Sequence, residues 1–285
     1  MVLALGQGVI SHPPTVGWLF QIVGPLLWLG LAAGFTRQCL VQRRLTRNML
    51  VFIASTTMWW QEWFGDWAAY IIYNPHFRLM PWGSTLWTSP NKPWAVIPAY
   101  GWYYTLSFLA LFWLCDRLRK SRRGMRGWVA AVLVGVPLWY AVDLLIEGGA
   151  SYLGWWSYDF FVGPALQSED GNFPLIYPIV FFAAWCTLMG ALVYLKDENG
   201  LVPLDRLLRL DRIRPGTTPV SEHSLDADGG LALKVAPTRS VSMAQWQWLR
   251  AAAWIVAFNA SYWVVFIFPI IIIRELVGPA STLIP

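Results

Sequence analysis

The chain has 285 residues, of which 56% are hydrophobic, 13% are charged and 20 are tryptophan. A soluble domain has about 45–50% apolar and about 25% charged residues, because its exterior needs polar cover. The composition therefore excludes an ordinary soluble enzyme, a disordered chain and a disulfide-stapled secreted fold. The net charge of +5 arises from short basic clusters between apolar spans. Such clusters are typical of membrane topology, and they do not indicate nucleic-acid binding.

Six apolar segments are long enough to cross a bilayer, which needs roughly 20 residues per helix. In chain order they are 15–35, 48–73, 98–115, 127–147, 174–195 and 245–273. We predict an all-α polytopic membrane protein. It would be a bundle of about six transmembrane helices forming a single transmembrane domain over 1–285.

Basic residues are distributed unevenly among the connections. Lys and Arg cluster in 36–47, 116–126 and 196–244, whereas 148–173 has none and 74–97 has only Arg78 and Lys92. Because cytoplasmic loops carry the positive charge, we expect the basic loops in the cytoplasm and both termini on the other side. The expected location is the plasma membrane of a bacterium. Segment 196–244, rich in Asp, Gly, Pro and Ser, is interpreted as a flexible cytoplasmic loop within the domain.

Two pairs of carboxyl side chains fall inside apolar spans, where ionisable residues are costly and usually functional. Glu62 and Asp66 lie four residues apart in the second span, and Asp143 and Glu147 repeat this spacing in the fourth. Residues four apart share a helical face, so each helix presents a stripe of two carboxyls. Apolar surroundings and mutual repulsion favour the neutral form of at least one of them. A neutral carboxyl beside an ionised one is suited to acid–base catalysis.

These carboxyls also have explanations other than catalysis. Asp143 and Glu147 could be solvated at the end of their span, and Asp66 could satisfy backbone groups of the following loop. Four carboxyls could also hold a divalent cation. No histidine lies in either stripe, and the three cysteines and three histidines are far apart in sequence. We therefore predict no metal site. Glu62 is the deepest of the four, so it is the strongest candidate for a buried general acid.

Polar and aromatic residues accompany the carboxyls. Asn259 and Tyr262 share a face of the last span, and a mid-span Asn needs a hydrogen-bonding partner. The connections 74–97 and 148–173 are aromatic and long, so one of them could close over a site, although Trp and Tyr also anchor membrane interfaces. An aromatic pocket excludes water and stabilises a developing cation. The predicted substrate-binding residues are Trp60, Gln61, Trp67, Trp82, Trp155, Tyr158, Asn259 and Tyr262.

At these residues the chain resembles the AveC-like spirocyclase family, which is named for the avermectin spiroketal cyclase. The resemblance lies in short blocks spread over most of the chain. They are Trp60-Gln61-Glu62-Trp63-Phe64-Gly65-Asp66-Trp67, Tyr73-Asn74-Pro75, Trp82-Gly83-Ser84, Asp143-Leu144-Leu145-Ile146-Glu147, Gly154-Trp155-Trp156-Ser157-Tyr158, Phe173-Pro174-Leu175-Ile176-Tyr177, and Asn259 with Pro269.

The resemblance implies a membrane cyclase that converts a dihydroxy-ketone polyketide into a spiroketal, in some members with dehydration. Glu62, Asp66, Asp143 and Glu147 would then be the catalytic acids and bases, acting through an oxocarbenium ion without a cofactor. The partners would be a lipophilic small-molecule substrate, which enters from the bilayer, and membrane lipid. One alternative is a membrane terpene or meroterpenoid cyclase that uses the same acids on a prenyl chain. The other is a non-enzymatic proton-coupled or lipid transporter, because intramembrane acids also relay protons.

Overall fold

The computed structural model describes residues 3–5, 10, 12–81, 88–89, 92–169, 171–215, 222–225, 231–234, 241–279 and 281. The protein is mostly helical, at 66%. Its principal helices are α1 Leu19–Gln42, α2 Arg47–Thr56, α3 Glu62–Ala69, α4 Val96–Ser121, α5 Gly127–Tyr152, α6 Ala183–Tyr194, α7 Pro203–Leu207 and α8 Met243–Val277.

Three helices of the described chain, α1, α5 and α8, are long and apolar enough to cross a membrane. The apolar helix α6 is shorter. These helices are consistent with a membrane protein, as the composition predicts. They do not establish the predicted number of about six spans.

The second predicted span, 48–73, is a broken helix. The hydroxyl of Thr56 donates to Phe52 O at 2.8 Å and that of Thr57 to Ala54 O at 2.8 Å, and such bonds compete with the helical backbone pattern. The helix ends there, a 3₁₀ turn covers Trp59–Gln61, and α3 follows. Tyr70, with a left-handed φ of 58°, ends α3. The break starts α3 at Glu62, so both carboxyls of the first stripe lie on one short helix.

Short antiparallel strand pairs occupy the connections between helices, which corrects the all-α prediction. The strands are β1 Leu3–Leu5, β2 Ile71–Tyr73, β3 Trp156–Tyr158, β4 Phe160–Val162, β5 Ala165–Gln167, β6 Asn172–Pro174, β7 Glu222–Leu225 and β8 Leu231–Lys234. They pair as β1 with β4, β2 with β3, β5 with β6 and β7 with β8. Pairing satisfies backbone groups that no helix can satisfy, so the described part of the aromatic connection 148–173 contains strands where the sequence predicts a loop.

Small residues allow the helices to approach closely. An added Cβ on Gly135 of α5 would lie 2.7 Å from Thr187 Oγ1 on α6, and one on Gly101 of α4 would lie 2.4 Å from Trp28 Cδ1 on α1. Close backbone approach at small residues is a common way for membrane helices to associate. Around these contacts the core is aromatic, and its fully buried side chains include Trp139, Trp185, Trp254, Phe108 and Phe258.

The segment 196–244 begins with residues that pack against the helices. Asp205 on α7 is fully buried and accepts hydrogen bonds from Arg250 Nε at 2.8 Å, Arg250 Nη2 at 2.6 Å and Trp254 Nε1 at 2.8 Å. This bidentate pair attaches α7 to α8. Residues 216–221, 226–230 and 235–240 lie outside the described part, so the flexibility of the whole loop stays a prediction.

Candidate active site

A cavity of about 430 Å³ lies between α1, α3, α4, α5 and α8 and beneath strands β2 and β3. Its volume is within the range of small-molecule sites. Ile71 pairs with Tyr158 and Tyr73 with Trp156, and all four side chains line the cavity. Alternate residues of a strand share a face, so this strand pair turns one aromatic face toward the cavity.

All four predicted carboxyls line this one cavity. Glu62 and Asp66 reach it from α3, and Asp143 and Glu147 reach it from α5. The two stripes that the i, i+4 spacing predicts therefore face a common space. Their catalytic roles stay a prediction.

Glu62 is held by two phenols. The hydroxyl of Tyr73 donates to Glu62 Oε1 at 2.6 Å, and that of Tyr100 donates to Glu62 Oε2. Two further tyrosine hydroxyls extend this hydrogen-bond network. Tyr262 Oη lies 3.5 Å from Tyr100 Oη and 3.3 Å from Tyr104 Oη. Both carboxyl oxygens of Glu62 therefore accept a hydrogen bond from a phenol.

Asp66 is paired with a cation that the sequence analysis did not assign to the site. Lys92 Nζ contacts Asp66 Oδ2 and lies 2.6 Å from Ser89 Oγ. Lys92 is fully buried, and Asp66 is 3% exposed. The stripe formed by Glu62 and Asp66 therefore has a basic side chain, Lys92, beside it.

The two carboxyls of α5 differ in their partners. Tyr103 Oη donates to Asp143 Oδ1 at 3.1 Å. Glu147 lines the cavity and, within the part of the chain that the structure describes, makes no hydrogen bond or ion pair through its carboxyl. Glu147 is the carboxyl best placed to contact a bound molecule directly.

Wide π-helical turns bring side chains into the cavity. They cover Leu19–Val23, Leu144–Gly148, Pro178–Phe182 and Trp263–Ile267, and each supplies at least one lining residue. The turn at 144–148 contains Glu147 and follows Asp143 directly. Such turns are often found at functional sites because they redirect side chains without breaking the helix.

Among the predicted substrate-binding residues, three line the cavity. Trp155 and Tyr158 do so from the strand region and Tyr262 from α8, where its ring stacks on Phe266 at 4.7 Å. Burial raises the pKa of the Tyr158 phenol well above its ordinary value, and the nearby carboxyl of Glu147 adds to the effect. This phenol therefore stays neutral and can donate a hydrogen bond.

Four other predicted residues lie away from the cavity. Asn259 Oδ1 accepts from Trp60 Nε1 at 3.0 Å and from Gln61 Nε2 at 2.8 Å, so these three side chains connect α8 to the turn before α3. Trp67 is buried with its ring centre 3.9 Å from the Arg274 guanidinium carbon. Trp82 lies outside the described residues. The mid-span Asn259 has the partner that its position requires, but that partner is a neighbouring helix turn.

The sequence analysis did not select Tyr73, Tyr100, Tyr103 or Lys92. Tyr73 stands in a block that carries the family resemblance, and Lys92 is one of only two basic residues in an otherwise aromatic connection. Both features are signals that could have identified them. Tyr100 and Tyr103 lie on an aromatic face of a helix. The sequence pattern of such a face is the same whether the face packs in a core or lines a site. Among the described residues, no group of three or more His, Cys, Asp and Glu is arranged to hold a metal ion.

The protein is mostly helical, its three long apolar helices are consistent with a membrane protein, and its cavity is lined by carboxyls and aromatic rings. A family model described as Spirocyclase AveC-like matches residues 42–222, and the chain belongs to this family. The match contains all four carboxyls. Comparisons with curated proteins and with solved structures gave no match. Membership in the family indicates a cyclase of polyketide biosynthesis.

Proposed function

We propose that the protein is a membrane-embedded cyclase that forms a spiroketal from a dihydroxy-ketone polyketide. The observation that carries the proposal is the convergence of four carboxyls on one aromatic cavity. Spiroketal formation needs protons delivered to and removed from oxygen atoms, and it passes through an oxocarbenium ion. Carboxyls supply the proton transfers, and the surrounding aromatic faces and carboxylates favour the cation.

The reaction is a dehydration with no change of oxidation state. A carboxyl protonates the ketone oxygen while one substrate hydroxyl adds to the carbonyl carbon and gives its proton to a carboxylate. The resulting hemiketal hydroxyl is protonated and leaves as water, which produces the oxocarbenium ion. The second hydroxyl adds to that carbon and loses its proton to a carboxylate. One molecule of water is released, and the enzyme returns to its starting protonation state.

We assign the proton-donating role to Glu147. Two phenols donate hydrogen bonds to Glu62 and an ammonium group contacts Asp66, so the protein itself supplies partners for both carboxyls. Among the described residues, the carboxyl of Glu147 has no hydrogen-bond or ion-pair partner. Of the four carboxyls, we therefore expect Glu147 to carry a proton most readily. This assignment differs from the expectation that Glu62, as the deepest acid, is the donor. Glu62 and Asp143 then accept the hydroxyl protons.

Exposed apolar side chains support entry of the substrate from the bilayer. Leu19, Val23 and Leu27 of α1 and Leu145 of α5 line the cavity, yet they are 38%, 41%, 37% and 75% exposed. Both helices are candidate membrane spans. We propose that the polar part of the substrate reaches the carboxyls while its apolar part remains between α1 and α5.

The test is to incubate the purified protein in lipid nanodiscs with a long-chain dihydroxy ketone. The proposal expects a product lighter by one water, formed as a single spiroketal diastereomer, whereas acid alone gives a mixture. Nanodiscs without protein control for the uncatalysed reaction in the same lipid. Products formed at the same rate and with the same diastereomer ratio in both samples would reject the proposed function.

A further inference from the structure

The fully buried ammonium group of Lys92 plays no part in the proton transfers proposed above. The residue belongs to the connection between β2 and α4, yet its Nζ lies against Asp66 in the cavity wall. Burying a lysine is costly unless it is paired and hydrogen-bonded. Its position therefore needs an explanation from its surroundings.

The surroundings of Nζ match those of a charged ammonium. An ammonium has three N–H donors, and Nζ has three partners: Asp66 Oδ2, Ser89 Oγ at 2.6 Å and the face of Tyr73, whose ring centre is 4.8 Å away. The ring face attracts a cation and has no such preference for a neutral amine. The site is thus built for Lys⁺ beside a carboxylate.

Backbone hydrogen bonds fix the segment that carries Lys92. Ser89 N donates to Trp63 O on α3 at 3.1 Å, and Met80 N donates to Lys92 O at 2.8 Å. Leu79 and Pro93 form an antiparallel bridge beside them. The lysine is therefore attached both to its own connection and to the helix that carries Asp66, so its ammonium group is held in place.

We infer that Lys92 is a positioning residue that keeps Asp66 as a permanent carboxylate in the cavity wall. Asp66 then supplies a fixed negative charge for the oxocarbenium ion and takes no part in proton donation. The ion-pair assignment is a property of the protein alone. The catalytic consequence rests on the proposed function, because it requires that a cation develops in the cavity.

Several other titratable groups also act on Asp66. They are Glu62 on the same helix, Glu147 on α5, and the phenols of Tyr73 and Tyr158 on the paired strands. Burial of the Asp66 carboxyl and the charge of Glu62 both favour its protonated form. The ammonium of Lys92 opposes both effects, so its removal should move a proton onto Asp66.

Infrared spectroscopy of the protein in nanodiscs tests the ion pair without a substrate. Protonated carboxyls absorb apart from carboxylates, and we compare spectra at neutral pH with and without Asp66→Asn. When Lys92 is present, Asp66→Asn should leave the absorption of protonated carboxyls unchanged, because Asp66 is a carboxylate. In a Lys92→Met background the same substitution should remove the absorption of one carboxyl. Loss of that absorption in the wild-type background, or no loss in the Lys92→Met background, would overturn the inference.

Two comparisons separate an effect on folding from an effect on the ion pair. Breaking a buried ion pair by removing one partner is more damaging than removing both, so Lys92→Met with Asp66→Asn should fold better than Lys92→Met alone. Ser89→Ala removes one hydrogen bond from Nζ and leaves the charge, so it should leave the infrared result unchanged. If Lys92→Met does not fold, the wild-type and Ser89→Ala comparisons with Asp66→Asn still decide the protonation state of Asp66.

The catalytic consequence is tested by kinetics with the same dihydroxy ketone. Lys92→Met should lower kcat by roughly 10²-fold, as expected for the loss of a preorganised charge, with little change in KM. It should also move the acidic limb of the pH–rate profile to higher pH, and Lys92→Arg should restore part of the rate and the original limb. If Lys92→Met is active and the acidic limb of its pH–rate profile is unchanged, the positioning role of Lys92 is rejected. No spiroketal from the wild type, with the infrared result intact, would reject only the proposed function.

Discussion

At the scale of single residues, the four carboxyls of the cavity differ mainly in what surrounds them. Glu62 accepts hydrogen bonds from two phenols, and Asp143 accepts one from a third phenol. Asp66 is paired with an ammonium group. Among the described residues, none forms a hydrogen bond or ion pair with the carboxyl of Glu147. Such differences in environment separate acids from bases in sites that contain several carboxyls. Each role can therefore be tested with an isosteric substitution.

Replacing Glu147 with Gln should lower kcat by roughly 10²–10⁴-fold, the usual contribution of general acid–base catalysis. The amide keeps the shape of the side chain but cannot deliver a proton. The matched control is Glu275→Gln, because Glu275 is exposed on α8 and does not line the cavity. Rates are measured as spiroketal formed per enzyme in nanodiscs. A Glu147→Gln protein that keeps the wild-type rate would place the acid elsewhere.

Replacing Tyr100 with Phe should lower kcat about 10-fold or more, because a hydrogen bond to a charged group contributes about 1.5–3 kcal/mol. The substitution removes one of the two phenols on Glu62 and keeps the ring. Tyr152→Phe is the control, since Tyr152 is 55% exposed. The pH–rate profile should change for Tyr100→Phe only. Identical profiles for both variants would mean that the phenol does not tune Glu62.

At the scale of helices and strands, the sequence predicts the carboxyl stripes better than the elements that carry them. The i, i+4 spacing correctly indicates that Glu62 and Asp66 share a face, because that spacing depends only on local helical geometry. The break at Thr56 and Thr57 and the β2–β3 pairing depend on competing hydrogen bonds, which hydropathy does not register. Lys92 reaches Asp66 across 26 residues, a contact that no local pattern encodes.

Helix packing at Gly101 gives a stability prediction. A side chain there would meet Trp28 Cδ1 at 2.4 Å and Thr56 Oγ1 at 2.5 Å, so Gly101→Val should cost about 1–3 kcal/mol through overpacking. Gly34→Ala on α1 is the control, because an added Cβ there meets nothing within 4 Å. Thermal unfolding in detergent should show a lower Tm for Gly101→Val alone. Equal Tm values would show that α1 and α4 do not pack as the structure has them.

At the scale of the whole molecule, the cavity combines a polar interior with an apolar edge. The carboxyls lie on α3 and α5, whereas the partly exposed Leu19, Val23 and Leu27 lie in the N-terminal part of α1. A substrate with a polar ketone region and a long apolar chain would satisfy both parts at once. A water-soluble substrate would leave the apolar edge unused, and burial of apolar area is the main favourable term in such binding.

The proposed entry path between α1 and α5 gives the last prediction. Val23→Trp and Leu145→Trp enlarge side chains that both line the cavity and are exposed, so each should narrow the path from the bilayer. We expect KM for the long-chain dihydroxy ketone to rise several-fold while kcat changes little, because the carboxyls are untouched and only substrate binding is weakened.

The controls are Leu29→Trp on α1 and Leu133→Trp on α5, at positions that are 54% and 56% exposed and do not line the cavity. Both controls place a tryptophan on the same helices, so a general effect on folding or insertion would appear in all four proteins. A short-chain ketone that enters through water should show equal KM values in all of them. If the long-chain KM rises equally in the controls, or in none of the four, the substrate reaches the carboxyls by another path.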